Sequence, residues 1–176
     1  KGKYAIRGMP ALYGEEKDAD TLIVELADKV TGLHAFLYYS VWEERDIITR
    51  CVKFVNQGTD AIVLTKAASM NLDLMSGDWE LMHFHGRHNQ MERVPLMRGK
   101  MTVGSVRGAS SHQHNPFAIL CSKDTTEEAG PCYGTALVYS GNFLIEAEKD
   151  QMGQTRLTAG INSQRFAWTL EAGAEF

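Results

Sequence analysis

The sequence predicts an all-β fold of antiparallel sheets, and three observations carry that expectation. Hydrophobic residues alternate with a period of two in stretch after stretch. No segment sustains a period of 3.6 residues over three turns. Clusters of Gly, Asn and Asp interrupt the strands at short intervals, the spacing of a sandwich or barrel. The 176 residues are 44% hydrophobic and 23% charged, which suits one globular domain with a sizeable core.

The elements follow in chain order. "LHAFLYYSVW" (Leu33 to Trp42) alternates Leu33/Ala35/Leu37/Tyr39/Val41 against His34/Phe36/Tyr38/Ser40/Trp42. Both sets are largely apolar or aromatic, so the strand is expected to be covered on both faces. "DIITRCVKFVN" (Asp46 to Asn56) follows a short Glu-Glu-Arg turn. "NQGTD" (Asn56 to Asp60) is turn chemistry, with Gly58 free to take positive φ. "AIVLTKAASMNLDL" resumes with β-branched residues, and Trp79 to Gly86, Pro116 to Ser122 and Tyr133 to Phe143 read as strands. So do "FLIEAEKD" and "TRLTAGIN", joined by Gln151-Met152-Gly153-Gln154, while "TTEEAG" offers at most one helical turn.

Charge and composition exclude several function classes. A net charge of −4 with scattered Lys and Arg gives no electrostatic case for nucleic acid or an anionic membrane. The apolar runs are far too short for a membrane helix. Three cysteines without tight spacing (Cys51, Cys121, Cys132) argue against a disulfide framework and for a reducing, cytoplasmic setting. All three are expected to be small core hydrophobes. The chain opens on Lys1 and closes on "TLEAGAEF", so both ends read as cut and the chain as an excised piece of a longer protein.

The candidate chemistry centres on histidine. "HFH" holds His83 and His85, with His88 nearby, and "RGASSHQHNPF" holds His112 and His114. Residues i and i+2 of an extended chain point the same way. If the two pairs lay on neighbouring strands, four imidazoles could converge on a first-row metal, as in a cupin-like sandwich. Against this, Glu92 sits across the loop-like "GRHNQMER". His83 and His85 also share a face with Trp79 and Leu81, where a hydrogen-bonded histidine is at home. His112 and His114 stand in a Ser- and Asn-rich turn whose side chains can bond local backbone. Hydrolysis needs a nucleophile with its base, or two carboxylates facing one bond. Ser110 and Ser111 beside His112 make no triad, and Asp46, Asp73, Asp78 and Asp150 have no evident partner. Tyr38, Tyr39, Trp42 and Trp79 offer either a sugar-stacking platform or core aromatics.

A resemblance goes further than pattern. "TVGSVRGASSHQHNPFAIL", "YGTALVYSGNFLIEAEKDQMGQTRLTAGIN" and "FAWTLEAGAEF" resemble the N-terminal domain of family 36 of the glycoside hydrolases, the large α-galactosidases. Upstream, "KGKYAIRGMPALYG", "TLIVELADKVTGLHAFLYYSVWEERDIITRCVKFVNQGT" and "SGDWELMHFHGRHNQMERVPL" fit as well, so the resemblance covers essentially the whole chain in order.

What the resemblance implies is an antiparallel β-supersandwich of the galactose mutarotase-like type. Residues 1–176 would form part of it, with the catalytic (β/α)₈ barrel and a small C-terminal β-domain absent. The parent would be a retaining hydrolase of terminal α-galactosyl residues in melibiose- and raffinose-type sugars, needing no cofactor. Its nucleophile and acid/base aspartates belong to the barrel, and neither motif occurs here, so the chain alone is expected to be inactive. The implied partners are the parent barrel, further copies of the protein (a tetramer in many members) and the α-galactoside. "HGRHNQMERV" resembles the loop that helps wall the active site, which makes Arg87, His88 and Asn89 the candidate substrate-binding residues. "RGASSHQHNPF" then shapes a loop and a subunit contact.

Overall fold

Alternation of side-chain faces produces a three-stranded meander early in the chain. A computed structural model describes residues 18–84, 91–95 and 99–176, with 91–95 and Gly99 as backbone only. Strands β1 (Asp20–Ala27), β2 (Leu33–Trp42) and β3 (Ile47–Asn56) pair antiparallel in that order. The β1–β2 turn is built by Asp28, whose carboxylate accepts the Thr31 hydroxyl at 2.6 Å and the Val30 N–H at 3.0 Å. Those bonds, the Thr31 one foremost, hold the Asp28 carboxyl below its ordinary range. β2 and β3 are joined by a 3-10 turn at Glu43–Arg45 and close through Asp46 in the left-handed region, φ 50°.

The described chain divides into two units: residues up to Ser69 with Phe166–Phe176, and Met70–Arg165. In the first, β4 (Ile62–Leu64) pairs with the last strand, β13 (Trp168–Leu170). Phe54 and Phe176 exchange backbone hydrogen bonds at 2.9 Å, which extends β3 onto the final residues. Asn56 is fully buried at the junction. Its amide donates to the carbonyls of Asp60 (2.8 Å) and Leu170 (2.9 Å), and its side-chain oxygen accepts the Gly58 N–H (3.0 Å).

The second unit is a β-sandwich. One sheet runs β10 (Cys132–Ala136), β9 (Phe117–Ser122), β6 (Trp79–Phe84), β7 (Met91–Pro95). The other runs β5 (Met70–Leu74), β12 (Thr155–Ile161), β11 (Phe143–Lys149), β8 (Gly99–Gly104). Strict alternation aims Trp79 and Leu81 of β6, Ala118 and Leu120 of β9, Phe143 and Ile145 of β11 and Leu157 of β12 into one core. Burying each large side chain contributes roughly 1.5–3 kcal/mol. This is the expected all-β, antiparallel sandwich.

Several expectations need correction. β2 is half-buried along its length, with Val41 exposed, and β1 exposes Leu22, Ile23 and Leu26, so among the described residues the meander is not covered on both faces. Gly58 has no positive φ. It is glycine because a Cβ would lie 2.3 Å from the Thr31 carbonyl oxygen. "AIVLTKAASMNLDL" holds two strands, β4 and β5, in different units. The stretch from Tyr133 breaks after Ala136, where a tight Tyr139 N–H to Leu137 carbonyl bond (2.9 Å) turns the chain. "TTEEAG" forms no helical turn; the Thr126 hydroxyl takes the Glu128 and Ala129 N–H groups instead. Only Cys121 is a core cysteine, since Cys51 and Cys132 are exposed. Partial burial of the Cys51 thiol against the sheet still pushes its pKa up.

Candidate functional site

The candidate site grows from one end of the second unit. Phe84 and Met91 are paired, so residues 85–90 connect the paired ends of β6 and β7. His85, Arg87, His88 and Asn89 lie outside the described residues. The segment after β8 reaches the same end, because the Asn115 N–H donates to the Phe84 carbonyl at 3.3 Å.

Its first half, Ser105 to Ser110, is fastened from three sides. The Ser105 hydroxyl donates to the Ala109 carbonyl at 2.7 Å and accepts the Arg107 N–H at 3.3 Å. Asn142 accepts the Gly108 N–H at 2.6 Å, which fixes Gly108 at φ +91°. Buried Asn162 donates to the carbonyls of Ser105 and Phe143, both at 3.1 Å. These bonds satisfy backbone groups that a non-helical, non-sheet segment would otherwise leave open. Sequence reasoning missed Ser105, Asn142 and Asn162 as this frame. Asn142 sits in a readable "SGN" turn, but nothing local to Asn162 announces its role.

The second half is a tight turn, Ser111 to His114, in which Ser111 accepts the Gln113 N–H at 3.2 Å. His112 and His114 are therefore not neighbours on an extended strand, which corrects the geometry that their spacing suggested. The histidines meet only in part. His83 is buried on the inner face of β6, and its ring lies 6.3 Å from that of exposed His114. His112 is exposed. Among the described residues no three His, Cys, Asp or Glu side chains come together in a way that could hold a metal. Nothing supports the cupin-like alternative.

Several carboxylates, Asp73 and Asp78 among them, are paired with basic side chains, while Asp150 accepts the Met152 and Gln154 N–H groups. Asp73 takes a bidentate Arg156, at 2.6 and 3.0 Å, and Asp78 takes Lys149 at 2.9 Å. Glu146 pairs with Lys100, and Glu25 with His34 at 2.7 Å. Arg156 holds the Asp73 carboxyl below its ordinary range and Lys149 does the same for Asp78. A general acid needs the opposite shift. The aromatics form no single platform either: Tyr38 and Tyr39 face opposite sides of β2, and Trp79 is buried in the other unit. Among the described residues no helix is long and apolar enough to cross a membrane.

The model of the glycosyl hydrolase family 36 N-terminal domain matches residues 1–171. The bifunctional α-galactosidase/sucrose kinase AgaSK of Mediterraneibacter gnavus is 48% identical over 99% of this chain, which is 19% of that protein. α-Galactosidase AgaA of Geobacillus stearothermophilus is 42% identical over 100% of the chain and 25% of its own length. The solved galactosidase domain of AgaSK superposes with a TM-score of 0.93, covering 99% of this chain and 25% of that one. An AgaA variant in complex with raffinose superposes at 0.94, covering 100% of this chain and 25% of its own. The chain thus spans about a quarter or less of the relatives that it matches.

Proposed function

The chain belongs to the glycosyl hydrolase family 36 N-terminal domain, and from that premise we propose that it is the non-catalytic β-sandwich portion of a retaining α-galactosidase. The parent's substrates are terminal α-galactosides of the melibiose and raffinose type. The observation that carries this reading is the unbroken match, at 42–48% identity over 99–100% of the chain, to proteins named α-galactosidase. The paired, acid-shifted carboxylates of this chain support a structural role for them. Catalysis falls to a barrel encoded outside it, next to a small C-terminal β-domain, and residues 1–176 form part of a larger supersandwich. The segment 85–90 helps wall the active-site entrance, with Arg87, His88 and Asn89 nearest the sugar. The stretch from Arg107 to Phe117 shapes a loop and contributes to contacts between copies in a tetramer. The three unbridged cysteines support a cytoplasmic setting.

Two measurements test the proposal. The isolated chain should release nothing from an aryl α-galactoside, because two carboxyls about 5 Å apart are required. Turnover that one carboxylate substitution in the chain abolishes would overturn this. In the full-length protein, Arg87→Ala and Asn89→Ala should raise KM several-fold, or shrink the oligomer, with the sandwich still folded. Unchanged kinetics and unchanged size for both would remove the loop from the site.

A further inference from the structure

Two of the three cysteines lie face to face. Cys121 near the end of β9 and Cys132 at the start of β10 are direct partners in the antiparallel register. The flanking bonds fix the kind of pair. The Ser122 N–H donates to the Pro131 carbonyl at 3.1 Å, and the Leu137 N–H to the Pro116 carbonyl at 2.8 Å. Hydrogen-bonded pairs therefore fall on the even-numbered residues of β9, and Cys121–Cys132 is a non-hydrogen-bonded pair. In such a pair the Cα atoms stand about 4.5 Å apart and the two side chains lie closest. Disulfides span Cα separations of about 4.4–6.8 Å, so the backbone need not move to join the two sulfurs.

We propose that Cys121 and Cys132 are a reversible disulfide site that fastens edge strand β10 to β9 when a low-molecular-weight disulfide is available as oxidant. Their exposure divides the labour. Cys132 is open to solvent and Cys121 is buried. The Cys132 thiolate attacks the small disulfide, displaces one thiolate and becomes a mixed disulfide. Cys121 then loses its proton to solvent, attacks the Cys132 sulfur and displaces the second thiolate. The two protein thiols give up two protons and two electrons, and the small disulfide leaves as two thiols. Closure requires a χ1 rotation of Cys121, whose S–H now points at the Glu80 carbonyl, 3.6 Å away on the opposite neighbour β6. That is a weak bond to surrender. Cys51, opposite Tyr38 in the other unit, has no cysteine across the strand and is the internal control.

The test uses the full-length protein that contains this chain. It is incubated folded with excess oxidised glutathione, quenched with iodoacetamide, denatured and digested with trypsin without reductant. Cleavage after Lys123 separates the cysteines. The expected product is the Cys121 peptide joined to the Cys132 peptide, two hydrogens lighter than their sum and released by dithiothreitol. Cys51→Ser should leave it and Cys132→Ser should abolish it. In the joined protein, amide exchange in β10 should slow several-fold. Glutathione on Cys132 with Cys121 still open to alkylation after denaturation would overturn the proposal. So would a link that forms only when urea precedes the oxidant.

Discussion

Asn56 spends every polar atom of its side chain on backbone: two carbonyls, of Asp60 and Leu170, and one N–H, of Gly58. Its own N–H and carbonyl meet Ala174 and Gly173, at 3.0 and 2.8 Å. Removing the side chain leaves its backbone partners around a buried position without these bonds, and each such loss costs about 1–3 kcal/mol. Asn56→Ala should therefore lower unfolding stability by roughly 2–4 kcal/mol in a denaturant titration, and Asn56→Asp, which cannot donate, should not rescue it. Two glycines provide a contrast. At Gly58 an added Cβ meets backbone, the Thr31 oxygen, which no side-chain rotation can relieve. At Gly108 the space is open but φ is +91°, so alanine there should cost only about 1–2 kcal/mol. Gly58→Ala should melt well below Gly108→Ala. "NQGTD" was legible as a turn, but the buried hub was not, because the partner of Asn56 is 114 residues away.

At the scale of elements, strands were readable where a period of two or a run of β-branched, aromatic and other apolar residues between turn signals marked them: β2, β3, β6, β9, β11 and β12. β1 carries apolar residues on both faces yet lies exposed. β8 is bounded by Gly99 and Gly104, and β13 has three residues, too few to show a period. The frame of the Ser105–Ser110 loop was hidden for the reason that hid Asn56: Asn142 and Asn162 reach it from distant sequence. Asn162→Ala should loosen that frame, and limited trypsin digestion should then cut after exposed Arg107 several times faster, with the core strands still protected. Strand register has an electrostatic element as well. Asp73 and Arg156 are direct partners across β5 and β12, and the Asp73 pKa is depressed in the folded state. A depressed carboxyl stabilises the fold above the ordinary Asp value, about pH 4, and the contribution fades as pH falls through the lower folded value. Thermal melts taken downward from neutral pH should show this loss, and Asp73→Asn should flatten it. Exposure and screening keep the effect small.

For the whole molecule, the meander decides how the chain behaves in solution. Leu22, Leu26, Val41 and Ile48 are exposed, and all four lie on one face of β1–β2–β3 by register. Among the described residues β1 is also the edge of its sheet, and an edge strand can pair with another chain. The isolated chain should self-associate, seen as a sedimentation coefficient that rises with concentration, and Leu22→Lys with Leu26→Lys should suppress it. A monomer at every concentration would show that this face is inert. The pairing of β4 with β13 has a consequence in time. The first unit is discontinuous, and β4 waits for its partner while Met70–Arg165 is synthesised, several seconds at about 5–20 residues per second. The second unit needs nothing from beyond Arg165 for its own sheets, and its folding sets Met70 opposite Ala159. A closure spanning more than a hundred residues thereby shrinks to the few that separate those two from β4 and β13. Vectorial synthesis and topology favour one order of events, in which Met70–Arg165 folds first and β4 and β13 then pair.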